Sequence, residues 1–246
     1  MRRPLLVLAL ALASCATPTA VPFPTPTALA QTQAASPIPA ALPSAEGTSF
    51  DPSAAPAGAY VLDPRHASVI WRVRHMGLSL YVGRFDGCLQ SQGAQCPQPG
   101  VSSTITFNPQ NPEQSAVTAT IQVNALSTGL TTGNGERGFD REIANVLSNN
   151  GAAPTITFTS TSVTRTGDAT GLMTGDLTLH GQTHPVTFEV SFQGGKAVAL
   201  RGGKYVLAFS ARTIINRNQW GAGSLIFNQF ASDETEIVIN GEFVQQ

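Results

Sequence analysis

From Tyr60 onward the chain alternates between apolar and polar side chains. Val69, Trp71 and Val73 fall on one side of a period-two pattern, and Ser68, Arg72 and Arg74 on the other. That is the signature of a strand with one buried face. Ile70 alone breaks it. Met76-Gly77-Leu78-Ser79 interrupts with a glycine that tolerates positive φ, and the extended pattern resumes from Leu80 to Leu89, so this stretch predicts two antiparallel strands around a short connection.

The same reading predicts strands at Tyr60 to Leu62, Ser68 to His75, Tyr81 to Leu89, Ser102 to Phe107, Ala116 to Val123, Thr155 to Arg165, Leu172 to Leu179, Val186 to Phe192, Tyr205 to Ile214 and Thr235 to Phe243. Val117, Ala119, Ile121 and Val123 against Thr118, Thr120, Gln122 and Asn124 is one clean case, with one face apolar and the other wet. Gly-rich turns at Thr166-Gly167-Asp168 and Gly194-Gly195-Lys196 separate the segments. Between Gly138 and Asn149 the period changes. Phe139, Ile143, Val146 and Leu147 repeat at helical spacing, with Asp140 as the cap and Asn149-Asn150-Gly151 as the stop. One short helix is expected there, against or over an opening of the sheet.

Composition agrees with many strands and turns: 12% of residues are charged, with 23 Gly and 17 Pro. A net charge of −1 leaves no electrostatic footprint for nucleic acid.

The first residues carry an address. Met1-Arg2-Arg3 is a positive n-region, and Leu5 to Leu12 an apolar stretch too short to span a bilayer. Leu12-Ala13-Ser14-Cys15 is similar to a bacterial lipobox, in which Cys15 is acylated after cleavage before it. An ordinary secretory site at Ala11-Leu12-Ala13 is the alternative. Residues 1–14 are therefore read as a signal peptide, with lipidation of Cys15 giving a stable membrane anchor if two or more acyl chains are added. Ala16, rather than Asp, follows the Cys, which implies the periplasmic face of the outer membrane. Residues 15–59 are rich in Pro, Ala and Thr and lack Lys and Arg. They are expected to form a disordered, partly polyproline tether that holds the 60–246 domain off the membrane.

Cys88 and Cys96 flank a Gly/Gln/Ser loop ending in Pro97. In an exported protein a disulfide is expected, because two thiols with no nearby His or Cys do not complete a tetrahedral metal site. His180 and His184 are expected on a turn, not on a helix face that would align both rings on a metal.

Three patches resemble the YceI-like family of exported bacterial proteins, often called polyisoprenoid-binding. They are Asp63-Pro64, His66-Ala67-Ser68-Val69 and Val73-Arg74-His75-Met76-Gly77-Leu78-Ser79 with Gly83-Arg84-Phe85; Pro154 to Ser160 running on to Gly175 through Val186; and Ile215-Asn216-Arg217-Asn218-Gln219-Trp220-Gly221. The resemblance implies an all-β fold: an antiparallel lipocalin-like β-barrel of about eight strands around an apolar cavity, with one short helix near the mouth. Ten segments for eight strands means that some are halves of one strand. The implied ligand is a long isoprenoid lipid, a polyprenyl phosphate or an isoprenoid quinone, bound without catalysis or any required cofactor. At Thr131 to Asp140 and Asn149 to Pro154 the chain departs from the family's acidic-His run and aromatic-Asp-Tyr-Pro ending.

On this reading Trp71, Val73, His75, Phe85, Phe107, Phe158, Phe188 and Phe209 are the cavity residues. Arg74, Arg84, Asn216, Arg217 and Trp220 are candidates for a polar head group, since a ring beside a fork of donors suits an amphipathic ligand; Asn216-Arg217 and Trp220 fit a barrel plug equally well. Two rivals stand beside lipid carriage: an enzyme on the same lipids, with His75 and His180 as the titratable candidates, and a structural barrel with a filled interior. Pairing of two barrels as a homodimer is left open.

Overall fold

A computed structural model of the chain describes residues 46–92, 95–131, 133–223 and 229–246. Cys15, the signal peptide and the tether up to residue 45 lie outside the described residues.

The first strand, β1 (Gly58–His75), covers two of the predicted segments. They read as separate because Asp63-Pro64-Arg65-His66 bulges out of the ladder: Leu62 pairs with Phe243 and Ala67 with Gly241, leaving four residues opposite one. A three-residue turn, Met76-Gly77-Leu78, with positive φ at the first two, leads to β2 (Ser79–Phe85), the hairpin expected from the alternation. β3 (Cys88–Gln92) and β4 (Gln95–Pro99) form a small separate hairpin. The predicted Cys88–Cys96 disulfide is present and staples it.

β5 (Val101–Phe107), β6 (Ala116–Gln122), β8 (Thr155–Arg165), β9 (Thr170–Leu179), β10 (Gln182–Ala197), β11 (Tyr205–Asn216) and β12 (Ala231–Gln245) follow, each antiparallel to its neighbour. The two-residue β7 (Leu126–Ser127) adds to the edge of β2. Because β12 pairs back onto β1, the order β1-β5-β6-β8-β9-β10-β11-β12 closes into an eight-stranded barrel. Period-two patterning decides which side chains face inward. On β5, Val101, Ser103, Ile105 and Phe107 are buried while Ser102, Thr104 and Thr106 are exposed.

The one α-helix among the described residues, α1 (Gly138–Leu147), lies at the barrel end where β9 turns into β10. Ile143, Ala144 and Leu147 face the core, and His180 on the β9–β10 turn places its Nδ1 2.6 Å from the carbonyl of Val146. Asp140 is not the cap. The helix begins at Gly138, and the buried Asp140 sits in its first turn, accepting from the backbone N–H and hydroxyl of Thr128 and from Arg137 Nε.

The folded part also starts earlier than Tyr60. Ser49 exchanges both backbone hydrogen bonds with Gly195, Pro52–Ala54 form a 3-10 turn capped by Asp51, and Ala55 is buried. The last residues assigned to the tether are therefore packed on the barrel.

Candidate functional site

Inside the barrel is a cavity of about 690 Å³. Its wall takes inward residues from every barrel strand, among them Val69, Ile105, Ala119, Phe158, Met173, Phe188, Phe209 and Ile237. The rings pack edge to face, Phe158 on Phe188 at 5.3 Å and Phe209 on Phe107, Phe192 and Phe243 at 5.8, 5.4 and 6.2 Å. Such contacts fix the wall beyond what area alone supplies. Ser103, a polar member, already donates its hydroxyl to the Thr118 carbonyl. The interior thus offers an apolar guest shape and little competition from unmet hydrogen bonds.

The cavity opens at the end opposite α1. Its rim is built from the loop around Pro109 and Pro112, the β8–β9 turn from Arg165 to Thr170, and Phe50 to Ser53. Charge is confined to this rim. Arg165 is bonded to the Gly167 carbonyl and to Asp168, and the Asp51 carboxyl is held below its usual range by hydrogen bonds from Ser53, with Arg165 nearby. Behind the rim, Tyr60 donates its hydroxyl to the Pro56 carbonyl at 2.7 Å, and burial pushes its pKa up to about 12.

Of the residues expected in the cavity, Phe107, Phe158, Phe188 and Phe209 stand in its wall. Trp71, Val73, His75 and Phe85 do not. They fall on the same face of β1 and β2 as Val69 but lie beyond the cavity floor, and His75 is exposed. Trp71 packs across from Gly83 and against Tyr81 at 6.0 Å, and His75 stacks on Phe230. In this region Trp71 Nε1, Tyr81 Oη and Thr235 Oγ1 are buried with no hydrogen-bond partner among the described residues.

The expected head-group residues are not gathered at the cavity. Arg74 is exposed and donates to Leu78's carbonyl, Arg84 pairs with Asp86 at 2.8 Å, and Asn216 accepts from the Asn218 N–H. Arg217 is buried, and its guanidinium donates to the carbonyls of Ser232, Ala222 and Ala231. Burial lowers its pKa, partly offset by Asp233. Trp220 is fully buried, donates to the Leu177 carbonyl at 2.9 Å and meets the His184 ring at 5.1 Å. These bonds tie Arg217 and Trp220 to backbone carbonyls, and neither side chain lines the cavity.

Sequence reasoning missed the Phe50 to Ser53 part of the rim. Asp51-Pro52, an N-cap residue before a proline at the first helical position, was the available signal.

The YceI-like domain model matches residues 60–243. A protein YceI of Salmonella arizonae is 33% identical over 199 residues, covering 80% of this chain and 92% of its own. Among solved structures, BcnA of Burkholderia cenocepacia is similar with a TM-score of 0.58 at 19% identity, covering 74% of this chain and 98% of its own. A polyisoprenoid binding domain from Saccharophagus degradans, implicated in plant cell wall breakdown, is similar with a TM-score of 0.54 at 12% identity, over 78% of this chain and all of its own. The domain model spans most of the chain and the Salmonella relative matches along nearly its whole length, and the chain belongs to the YceI-like family.

Proposed function

We propose that this protein is a non-catalytic binding protein for one long-chain isoprenoid lipid, a polyprenyl phosphate or an isoprenoid quinone, carried in the barrel cavity without a cofactor. The observation that carries this reading is a hollow, apolar interior open at one end. Since a cavity of about 150 Å³ suits a six-carbon ring, about 690 Å³ takes on the order of 25 to 30 carbons, roughly five isoprene units. Each buried methylene is worth about 0.8 kcal/mol, so such a tail supplies the affinity with few polar contacts. The likeness to a polyisoprenoid binding domain supports the choice of tail.

A filled structural barrel does not account for the hollow. An enzyme on the same lipids is less well supported, since neither His75 nor His180 lines the cavity. One barrel encloses the site, so a homodimer is not required. The disulfide supports an exported protein, and we place it at the cell envelope, anchored through Cys15 on the periplasmic face of the outer membrane.

Native mass spectrometry of protein purified without detergent should show a lipid cargo. In titrations, affinity for prenols should climb with each isoprene unit to about five and then level off. No cargo together with no prenol binding would sink the proposal.

A further inference from the structure

We propose that the open end of the barrel docks on a lipid bilayer surface, with Leu200 at its leading edge; this rests on the lipid-binding reading above. The cavity entrance is not ringed by charge alone. Phe50 and Leu172 line the cavity and are also 56% and 40% exposed, so the apolar wall continues onto the outer surface. Leu200, in the 3-10 turn Ala199–Arg201 that joins β10 to β11 at this same end, is 98% exposed. A leucine held out in water at the apex of a tight turn serves no packing in the isolated protein.

Three further observations point to a bilayer. The first described residues lie at this end, where Ser49 pairs with Gly195 and Lys196 reaches the Glu46 carbonyl, so the chain that leads back to Cys15 joins the domain beside the entrance. The loops here carry Glu46, Asp51, Glu113 and Asp168 against Arg165, Lys196, Arg201 and Lys204, a balance that favours an uncharged interface over an anionic or cationic partner. Finally, a tail as apolar as the cavity demands is poorly soluble. An apolar rim continuous with the cavity lets it pass from membrane to barrel without crossing water.

The other end is the competing surface. There the β1–β2 hairpin exposes Met76, Leu78, Leu80 and Val82 beside Arg74 and Arg84. None of these four exposed side chains lines the cavity, and the neighbouring arginines would make any docking depend on anionic lipid and on salt.

The test uses the full chain carrying Cys15→Ser, which keeps an acyl anchor out of the measurement, and phosphatidylcholine vesicles loaded with a radiolabelled prenol of about five isoprene units. Leu200→Asp should slow prenol pick-up and vesicle-to-vesicle transfer about tenfold or more. It should leave prenol binding from detergent micelles unchanged, and Leu78→Asp, at the other end, should leave transfer at the parent rate. Added salt should change the parent rate less than twofold. Unslowed transfer by Leu200→Asp, or equal slowing by Leu78→Asp, overturns the docking assignment. If no variant binds prenol from micelles, the ligand reading falls instead. Co-sedimentation with unloaded vesicles then decides the docking: loss on Leu200→Asp alone supports it, and no loss refutes it.

Discussion

The ring of Phe158 lies over Gly175, so that a Cβ on Gly175 would stand 2.5 Å from Phe158 Cζ and 2.4 Å from the carbonyl oxygen of Thr159. The glycine is what lets this ring lie back against the wall and leaves the space in front of it open. Gly175→Ala should push the ring inward and shift β8, costing about 1 to 3 kcal/mol of stability by overpacking. Prenol affinity should fall with it. Urea unfolding and prenol titration of the variant check both, and a variant equal to the parent in each would show that the ring has room elsewhere.

Acid should loosen the molecule through two buried carboxylates. Burial alone would raise the pKa of Asp63, but hydrogen bonds from His66 and the Arg65 N–H, with the Arg201 charge, hold it below its usual value. Asp140 is likewise held low, against its burial, by Thr128 and Arg137. A carboxylate whose folded pKa lies below its unfolded value adds stability above about pH 4 and loses it as pH falls through the folded pKa. The urea midpoint should therefore be level from about pH 7 to 5 and fall below about pH 4. Asp63→Asn should lower the midpoint at neutral pH and flatten part of the acid slope; a parent midpoint unchanged down to about pH 3 contradicts the assignment.

Arg217→Met should destabilise the protein strongly, because three backbone carbonyls lose a charged donor at once. Trp220→Ala should cost about 3 to 5 kcal/mol as a large buried ring is lost. Both effects should be seen in thermal unfolding. If both residues are purely structural, prenol affinity measured well below the melting transition stays near that of the parent. A selective loss of affinity for phosphorylated prenols in Arg217→Met would instead return the residue to the ligand.

Tyr81 offers the opposite expectation. Its hydroxyl is buried without a hydrogen-bond partner among the described residues, so Tyr81→Phe removes a desolvated group and little packing. The variant should melt at or above the parent temperature, by up to about 1 kcal/mol in stability. A clear drop would reveal a partner for the hydroxyl in solution.

Much of the barrel was legible because alternation reports which side of a sheet a residue faces. β8 falls on Thr155–Arg165 as expected, bounded by Pro154 and the Gly167 turn. Alternation says nothing about height along the barrel axis. Trp71, Val73 and Phe85 fall on the same face as Val69 yet lie past the floor, and His75 beyond them is exposed, which only the closure of the sheet determines. The Asp63 to His66 bulge hid the continuity of β1, since its four residues follow neither period. The role of Arg217 and Trp220 was undecided for a chemical reason: a fork of donors beside an indole suits a ligand head and a backbone corner alike.

The ladder between β1 and β12, running from Tyr60–Gln245 to His75–Ala231, joins the beginning of the domain to its end. Until the final strand has been made and delivered, the wall has an unzipped seam and there is no container for grease to enter. The protein must therefore fold slowly for its size, through contacts of long sequence separation, and a chain cut short before Ala231 would expose two sticky margins instead of an empty vessel.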